Sequence, residues 1–366
     1  MLKSLHVENL TVFPKADFTF GKNLNIIIGE NGSGKSHILK AAYCAIAVSA
    51  KGAKGAKDST SDVPTKAFLE TALADKFLNV FKPDELGRLA RRRQGHTACR
   101  IKYVFNPSKL DLDFSFTTRT KKEVVVAKVP TDWAEKLPVF MPTRELLTIS
   151  PGFVSLYETT HLPFEETWRD TCILLGAPLA KGPREHRIKE LLVPIEAAMG
   201  GSVELDKSGR FYLKVATGNM EMHLVAEGLR KLATIARLIA TGSLLDKGYL
   251  FWDEPESNLN PRIIKTVAKT ILQIAKSGIQ VFIATHSLFL LRELHILQQQ
   301  EFGTLDTRCF GLHIGEDGAV SVQQGKTMDE VGSIAALDED LQQSERYIDA
   351  EMGVSADEIR DSATNG

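Results

Sequence analysis

An apolar run that leads into a glycine-rich turn constrains the fold of this chain more than any other feature. Residues 24–28, Leu-Asn-Ile-Ile-Ile, have the composition of a buried strand, and residues 29–36 follow with the pattern GxxxxGK[ST]. A helix is predicted from about residue 35 to residue 49. Because a strand, such a turn and a helix in this order direct backbone N–H groups and a helix N-terminus toward one point, they favour phosphate binding. The sequence therefore predicts an α/β fold with a phosphate-binding loop.

The turn also supplies the candidate nucleotide-binding residues. Lys35 is long enough to reach the β- and γ-phosphates of ATP, and the Ser36 hydroxyl is a suitable ligand for Mg²⁺. ATP and Mg²⁺ are therefore the predicted cofactors. A chance glycine turn before a helix is the alternative interpretation. The predicted nucleotide-binding residues in this turn are Asn31, Gly32, Ser33, Gly34, Lys35 and Ser36.

Two later apolar runs end in side chains that a phosphoryl-transfer site needs. The run at residues 249–252 ends in Asp253 and Glu254, as expected for a central parallel strand whose carboxyl end faces a ligand. We predict that Asp253 holds Mg²⁺ and that Glu254 orients and polarises the attacking water. A second run, residues 279–284, leads to His286, which is the predicted γ-phosphate sensor. A solvated strand exit and a structural histidine are the respective alternatives.

Together these motifs resemble the ABC-type branch of the P-loop ATPases. Within that branch the chain resembles the soluble SMC/RecF/OLD-like group, including AAA-family ATPases of bacterial anti-phage defence systems, more than transporter subunits. The resemblance rests on residues 29–36, on the Asp-Glu-Pro-Glu-Ser-Asn-Leu-Asn-Pro run at residues 253–261 and on Thr-His-Ser at residues 285–287. It covers residues 1–50 and about 222–315 well and the central part poorly.

The resemblance implies a head-to-tail nucleotide sandwich, in which each ATP lies between the phosphate loop of one subunit and a signature loop of the other. Ala226-Glu227-Gly228 occupies the signature position, and Gly228 is the predicted nucleotide contact. Ala226 replaces the serine that often contacts the γ-phosphate in this family. The family's water-contacting glutamine is not identifiable, and Arg144 is the candidate substitute. An ordinary helix start with a glycine is the alternative interpretation of residues 226–228.

The resemblance and the remaining patterns predict how the chain is divided. Residues 1–50 and 222–325 are predicted to form a discontinuous ATPase core of the ABC type. Residues 51–221 are predicted to be an insertion that contains an antiparallel β subdomain, a meander at about 99–145, and a helical lid. Residues 326–366 are predicted to form an acidic helical tail, with Ile334, Leu337 and Leu341 spaced for one apolar face.

Charge and cysteine usage limit the class of protein. With 45 Lys+Arg against 46 Asp+Glu, the formal net charge of −1 excludes a globally basic nucleic-acid binder but not a local basic patch. Residues 51–57, predicted to be a glycine- and lysine-rich loop, and Arg91-Arg92-Arg93 are such stretches, with solvated surface as the alternative. The four cysteines show no CxxC or metal-ligand spacing, so we expect reduced, buried thiols. No signal peptide or membrane span is predicted, and cytoplasmic localisation without a membrane partner is expected.

The leading hypothesis is an Mg²⁺-dependent ATPase that assembles with itself, as a homodimer or a larger assembly of dimers, and controls a separately encoded effector. Analogy with the family places it in anti-phage defence. A RecF-like clamp that grips DNA in repair or recombination is the alternative, and nucleic acid is therefore an open partner. A transporter subunit is the weakest candidate, because neither an ordinary signature sequence nor a membrane-docking context is visible.

Overall fold

The structure, a computed structural model, describes residues 1–56, 63–91, 97–160, 162–182, 185–245, 248–334, 338–339 and 341–351. In this part of the chain, no helix combines the length and the apolar character needed to cross a membrane. The strands are β1 (Leu2–Leu10), β2 (Phe13–Thr19), β3 (Leu24–Gly29), β4 (Ala98–Phe105), β5 (Leu112–Thr117), β6 (Val125–Lys128), β7 (Val139–Met141), β8 (Ser202–Leu205), β9 (Phe211–Val215), β10 (Gly218–Glu221), β11 (Tyr249–Asp253), β12 (Gln280–Thr285), β13 (Thr307–Ile314) and β14 (Val320–Gly325). The helices are α1 (Lys35–Ala56), α2 (Lys66–Phe81), α3 (Ser150–Thr159), α4 (Glu166–Leu175), α5 (Glu185–Met199), α6 (Glu227–Ala240), α7 (Pro261–Lys276) and α8 (Leu288–Gln300).

A six-stranded sheet with the order β14-β13-β3-β12-β11-β7 forms the centre of the fold. Its strands are parallel except for β14, which pairs antiparallel with β13. Strand β12 lies between β3, which leads into the phosphate loop, and β11, which ends in the acids. In register, Thr285 pairs with Ile28, and Ala284 pairs with Asp253. The carboxyl ends of β3, β12 and β11 therefore lie side by side at one edge of the sheet.

The central strands bury side chains on both faces. Leu250 and Trp252 of β11 enter a core shared with α6 and α7, whereas Phe251 enters a second core shared with α1 and the antiparallel strands. All three side chains are fully buried. Such burial on both faces is typical of parallel strands covered by helices or another layer, and it explains why β11 has an uninterrupted apolar sequence.

A five-stranded antiparallel sheet with the order β2-β1-β4-β5-β6 packs on α1, where the Tyr103 hydroxyl donates to the Ala41 carbonyl at 2.9 Å. Residues 2–19, which the sequence analysis assigned to the ATPase core, thus share one sheet with the meander that it assigned to the insertion. Strand β7, which it counted with the meander, lies in the central sheet beside β11. Its three residues are all buried, as suits a strand of that sheet. The division of the chain into domains stays a prediction.

The segment between β7 and α6 contains helices α3 to α5 and a small sheet with the order β10-β9-β8. The hairpin predicted at residues 202–215 is present as β8 and β9, and β10 adds a strand that the sequence analysis did not predict. Three ion pairs tie the start of α4 and α4 itself to the neighbouring helices, one of them between Lys76 and Glu166 at 3.3 Å. Lys40 of α1 contacts Glu165 at 2.5 Å, and Lys76 of α2 contacts Asp170 at 2.7 Å. The region predicted as a lid is therefore linked by charge to the helix that follows the phosphate loop.

The prediction of a loop at residues 51–57 is wrong for residues 51–56, because α1 continues to Ala56. Gly52 lies so close to the Trp133 ring that a Cβ atom at this position would be 2.2 Å from Cζ3 of the ring. Ala53, the next residue, is also buried. Tertiary packing therefore keeps a glycine-containing segment helical although glycine is a weak helix former. Lys57 lies outside the described residues.

The C-terminal segment differs from the predicted amphipathic helix. Ile334 is buried in a core, but it precedes the helical residues 338–339 and 341–351. Leu341 belongs to the helical part and is 41% exposed. Leu337 and residues 352–366 lie outside the described residues. Over the part that the structure describes, Ile334 and Leu341 therefore do not share one buried helix face.

Candidate functional site

The turn between β3 and α1 has the backbone of a phosphate-binding loop. Gly32 and Gly34 have φ values of 84° and 88°, in the left-handed region that other residues rarely adopt. The Ser33 side chain is fully buried, and its hydroxyl has no hydrogen-bond partner among the described residues. Lys35 donates through Nζ to the carbonyls of Gly29, at 2.8 Å, and Glu30, at 2.9 Å. Glycines in this conformation beside a helix N-terminus fit the phosphates of a nucleotide.

Lys35 is electrostatically linked to the acids at the end of β11. Burial lowers the pKa of Lys35, and carboxylates oppose that shift, led by Glu254 and Asp253. Only 5% of the Lys35 residue is exposed, so these charges interact with little solvent between them. The structure thus brings the predicted phosphate-binding lysine, the predicted Mg²⁺ ligand Asp253 and the predicted catalytic Glu254 into one cluster.

Asp253 is buried at the side of the phosphate loop, with 7% exposure. Burial raises the pKa of Asp253, and an interaction with the Ser36 hydroxyl opposes this shift. The carboxylate oxygen Oδ1 of Asp253 has no hydrogen-bond partner in the described part of the chain. A carboxylate with a free oxygen beside a serine hydroxyl is an oxygen donor set of the kind that Mg²⁺ prefers. Ser36 and Asp253 therefore fit a Mg²⁺ ion.

Glu254 and His286 face each other at the carboxyl ends of β11 and β12. The distance from His286 Nδ1 to Glu254 Oε1 is 3.3 Å, and both side chains are partly open to solvent. The contact with His286 lowers the pKa of Glu254, and the contact with Glu254 raises the pKa of His286. The pair therefore favours an ionised carboxylate at the position predicted for the residue that orients water.

Two family models cover the segments that carry this site. A model described as "AAA domain" matches residues 4–109, and one described as "AAA domain, putative AbiEii toxin, Type IV TA system" matches residues 109–292, which is half of the chain. The chain belongs to this family of AAA-domain ATPases. The AAA-family part of the predicted resemblance is thereby confirmed.

Curated proteins match this AAA-domain ATPase over short segments. It is 48% identical over 42 residues to the DNA double-strand break repair Rad50 ATPase of Methanosarcina mazei, which is 12% of this chain and 4% of that protein. It is 40% identical over 58 residues to the DNA replication and repair protein RecF of Agathobacter rectalis, 16% of each chain. The aligned segments thus span a small part of either relative.

Solved structures of SMC head domains share the fold. A Pyrococcus furiosus SMC head with an extended coiled coil, bound to the C-terminal domain of ScpA, has a TM-score of 0.51 and 11% identity, covering 88% of this chain and 96% of that one. An SMC head bound to the C-winged helix domain of ScpA has a TM-score of 0.53 and 14% identity, covering 90% and 98%. These similarities confirm the predicted α/β fold of the ABC-ATPase type.

Two buried charged residues lie beside the acids of this ATPase. The sequence analysis gave neither of them a role. Lys231 of α6, 3% exposed, donates through Nζ to the Glu254 carbonyl at 2.6 Å and to the Ser257 hydroxyl. Burial lowers the pKa of Lys231 to about 8. Glu256, 7% exposed, accepts a hydrogen bond from the Thr285 hydroxyl at 2.6 Å. Glu256 lies within the run at residues 253–261 and Lys231 follows the predicted signature residues, but their burial depends on tertiary packing that the local sequence does not show.

The predicted signature residues pack against the loop that follows the acids. A Cβ atom on Gly228 would lie 2.8 Å from the Asn258 carbonyl oxygen, so only glycine fits this approach. The Asn258 amide donates to the Glu227 carboxylate at 2.9 Å. Ala226 precedes α6 and provides no side-chain cap. Within one chain, Gly228 thus contacts this loop, and its role at the nucleotide of a second subunit stays a prediction.

Arg144 lies at the edge of the same loop. Its side chain is exposed and makes no hydrogen bond or ion pair with the described residues. The preceding residue, Thr143, accepts a hydrogen bond from the Ser257 hydroxyl at 3.2 Å through its carbonyl. The guanidinium group of Arg144 is therefore free for a ligand, on a segment that contacts the loop after the acids.

The residues of the two basic stretches lie in different surroundings. Arg91 donates to the Val12 carbonyl at 2.6 Å and pairs with Asp317 at 3.6 Å, so it is engaged within the fold. Lys51 and Lys54 lie on α1. Arg92 and Arg93 lie outside the described residues.

The cysteines are free and buried, as predicted from their spacing. Burial raises the pKa of Cys172 and of Cys309 to about 12. These thiols therefore stay protonated at neutral pH and serve as packing groups. The four positions are Cys44, Cys99, Cys172 and Cys309.

Proposed function

We propose that this AAA-domain ATPase binds and hydrolyses Mg-ATP, dimerises through a nucleotide sandwich, and controls a separately encoded effector in bacterial anti-phage defence. The observation that carries the proposal is the cluster of Lys35, Asp253 and Glu254, with His286 3.3 Å from Glu254. A lysine on the phosphate loop, an acid beside a serine for Mg²⁺ and an ionised acid that can position water are groups that ATP hydrolysis uses.

Each group has one task in the proposed reaction. The backbone of residues 31–36 and the Lys35 ammonium hold the phosphates of ATP. Ser36 and Asp253 hold Mg²⁺, which neutralises phosphate charge when it is bound. Glu254 orients and polarises the attacking water, and His286 keeps Glu254 ionised and senses the γ-phosphate.

Dimerisation brings the start of α6 to the nucleotide of a second subunit. The Gly228 N–H and the helix N-terminus bind phosphate there without the hydroxyl that Ala226 lacks. Leu224, 73% exposed three residues before α6, provides an apolar contact next to this region. The unpaired guanidinium of Arg144 replaces the missing glutamine of the family.

Trapping of the dimer tests this mechanism. Glu254→Gln keeps the shape of the side chain but removes the charge that activates water, so we expect it to bind Mg-ATP and accumulate as a dimer in light scattering. Lys35→Ala, the matched control, should lose ATP binding and remain monomeric. If the Glu254→Gln protein binds ATP but is monomeric at every concentration, the nucleotide-sandwich model is wrong.

A separate effector is proposed because the described residues hold no second catalytic constellation beside the ATP site. The toxin and TA system in the description of the matched family model support a role in which a harmful output is kept under control. Affinity purification from the native cell, followed by mass spectrometry, tests this part. A co-eluting nuclease or toxin supports defence, whereas recombination proteins contradict it.

A DNA clamp is the second candidate, favoured by the names of the curated relatives, which are a double-strand break repair ATPase and a replication and repair protein. If duplex DNA stimulates ATP hydrolysis and retards the protein in gels at physiological salt, the clamp is favoured. Because phosphate contacts release counterions, retardation by DNA should weaken steeply as salt is raised.

A further inference from the structure

We propose that Glu256 is a positioning residue that fixes His286 against Glu254 and thereby sets the rate of ATP hydrolysis. The inference rests on the proposed ATPase function. In the described part of the chain, the hydrogen bonds of the Glu256 side chain do not involve the phosphate loop. The task proposed for Glu256 is therefore separate from ATP binding.

The hydrogen bonds of Glu256 join the ends of two strands. Its Oε1 atom accepts the Thr285 hydroxyl at 2.6 Å and lies 3.4 Å from the His286 backbone nitrogen. Glu256 follows β11 by three residues, whereas Thr285 ends β12. One carboxylate therefore fixes the segment that carries His286 relative to the segment that carries Glu254.

The imidazole of His286 lies within reach of both acids. Its Nδ1 atom is 3.3 Å from Glu254 and 3.9 Å from Glu256. The Glu256 side chain is 7% exposed, in contrast to 23% for Glu254 and 41% for His286. The buried Glu256 thus anchors Glu254 and His286, whose partly exposed side chains are free to contact a nucleotide and water.

The burial of Glu256 requires an explanation, because a buried carboxylate is unfavourable without partners. Its Oε2 atom has no hydrogen-bond partner among the described residues, so hydrogen bonding is incomplete. Its charge raises the pKa of the buried Lys231 more than any other carboxylate does. The carboxylate therefore also stabilises the ammonium group that donates to the Glu254 backbone.

Loss of Glu256 should change turnover more than affinity. In Glu256→Ala the Thr285 hydroxyl and the His286 N–H lose their acceptor, and the imidazole is no longer held at Glu254. We expect kcat to fall at least about tenfold, as for loss of a hydrogen bond to a charged group. The Kd for Mg²⁺-ATPγS should stay within about threefold of the wild-type value, because Lys35 and Ser36 are unchanged.

Conservative variants distinguish a positioning role of Glu256 from a general loss of protein stability. Glu256→Gln keeps an oxygen that accepts the Thr285 hydroxyl, so it should recover most of the turnover that Glu256→Ala loses. Thr285→Val removes the donor of the same bond, and combined with Glu256→Ala it should cause little further loss, because coupled residues are not additive. Thr270→Val is the matched control, since Thr270 is 1% exposed and its hydroxyl bonds only within α7.

The proposal is wrong if Glu256→Ala retains turnover or if its loss of affinity equals its loss of turnover. A second readout needs no hydrolysis. In protein with ¹³C-labelled histidine, the NMR signal of His286, identified by its loss in His286→Asn, should shift further in Glu256→Ala than in Glu256→Gln, because both variants remove the charge 3.9 Å from Nδ1 and only alanine also removes the acceptor of Thr285. An unshifted signal in Glu256→Ala contradicts the positioning role. If the wild-type protein binds ATP without hydrolysing it, the proposed function fails, and this signal still tests Glu256.

Discussion

The backbone of Glu254 is held in an unfavourable conformation. Its φ is 46°, in the left-handed region, where a residue with a Cβ atom loses about 1–2 kcal/mol. Three hydrogen bonds hold it there, because its N–H donates to the Ala284 carbonyl at 2.9 Å and its carbonyl accepts Lys231 Nζ at 2.6 Å and the Ser257 N–H at 3.1 Å. Backbone strain of this kind is stable only where the surroundings enforce it, and it is concentrated at functional sites.

Glycine at position 254 should therefore stabilise the fold while it abolishes hydrolysis. Compared with Glu254→Ala, which lacks the same carboxylate, we expect Glu254→Gly to have a free energy of unfolding higher by about 1 kcal/mol, because glycine adopts positive φ without the steric cost. Urea denaturation of the two variants measures the difference. A Glu254→Gly protein that is less stable than Glu254→Ala would show that the conformation is not strained.

The sequence predicted the residues of the site that belong to local motifs. Lys35, Asp253 and His286 each follow an apolar strand, and that context is encoded within a few neighbouring residues. Glu256 and Lys231 were not assigned, because a charged side chain is normally solvated and nothing in the local sequence shows that these two are buried. Lys231 is buried where α6 meets the loop after β11, and Glu256 is buried where that loop meets the end of β12.

At the scale of elements, the C-terminal part of α1 shows how packing overrides local composition. Residues 51–56 contain two glycines and two lysines, a composition that favours a loop. Gly52 instead lies against the Trp133 ring, whereas a Cβ atom on Gly55 would meet no other atom within 4 Å. The same helix thus contains one glycine that packing requires and one that it does not.

Alanine at these two positions should have opposite effects. Gly52→Ala drives a methyl group into the Trp133 ring and should destabilise the protein by about 1–3 kcal/mol, as overpacking does. Gly55→Ala is the matched control and should stabilise the helix by up to about 1 kcal/mol. Thermal and urea unfolding measure both changes. Equal effects at the two positions would contradict the close contact between Gly52 and the ring.

Strand β2 shows why some elements were not predicted. Its buried residues, Phe13, Ala16 and Phe18, alternate in part as in a strand, and it pairs antiparallel with β1. The turn between the two strands has no glycine, although Asn9 and Thr11 have φ values of 51° and 48°. Because non-glycine residues adopt the turn conformation here, the usual sequence signal of a hairpin is absent.

At the scale of the whole molecule, the site is assembled from segments that are distant in the sequence. Lys35, Asp253 and His286 come from three strand ends that only the complete central sheet brings together. The fold class followed from the motifs, but the common sheet of residues 2–19 and the meander did not, because strand pairing over long sequence distances is not encoded in local patterns.

ATP should therefore stabilise the molecule as a whole. A ligand that binds only the folded chain, at a concentration of 100 times its Kd, adds about 2.7 kcal/mol to the free energy of unfolding. We expect this gain with Mg²⁺ and a non-hydrolysable ATP analogue, measured by urea denaturation, and no gain for Lys35→Ala. A gain that persists in Lys35→Ala would place the bound nucleotide elsewhere.

The position of β3 in the central sheet has a consequence for biosynthesis. Both of its neighbours, β12 and β13, begin after residue 279, so β3 has no partner strand of this sheet until most of the chain has left the ribosome. An unpaired apolar strand is prone to aggregate, so the nascent chain is most prone to aggregation before β12 and β13 have emerged. Because β12 and β13 come late in the sequence, an incomplete chain also cannot form the ATP site. A truncated product of interrupted translation therefore lacks the strands that complete the site.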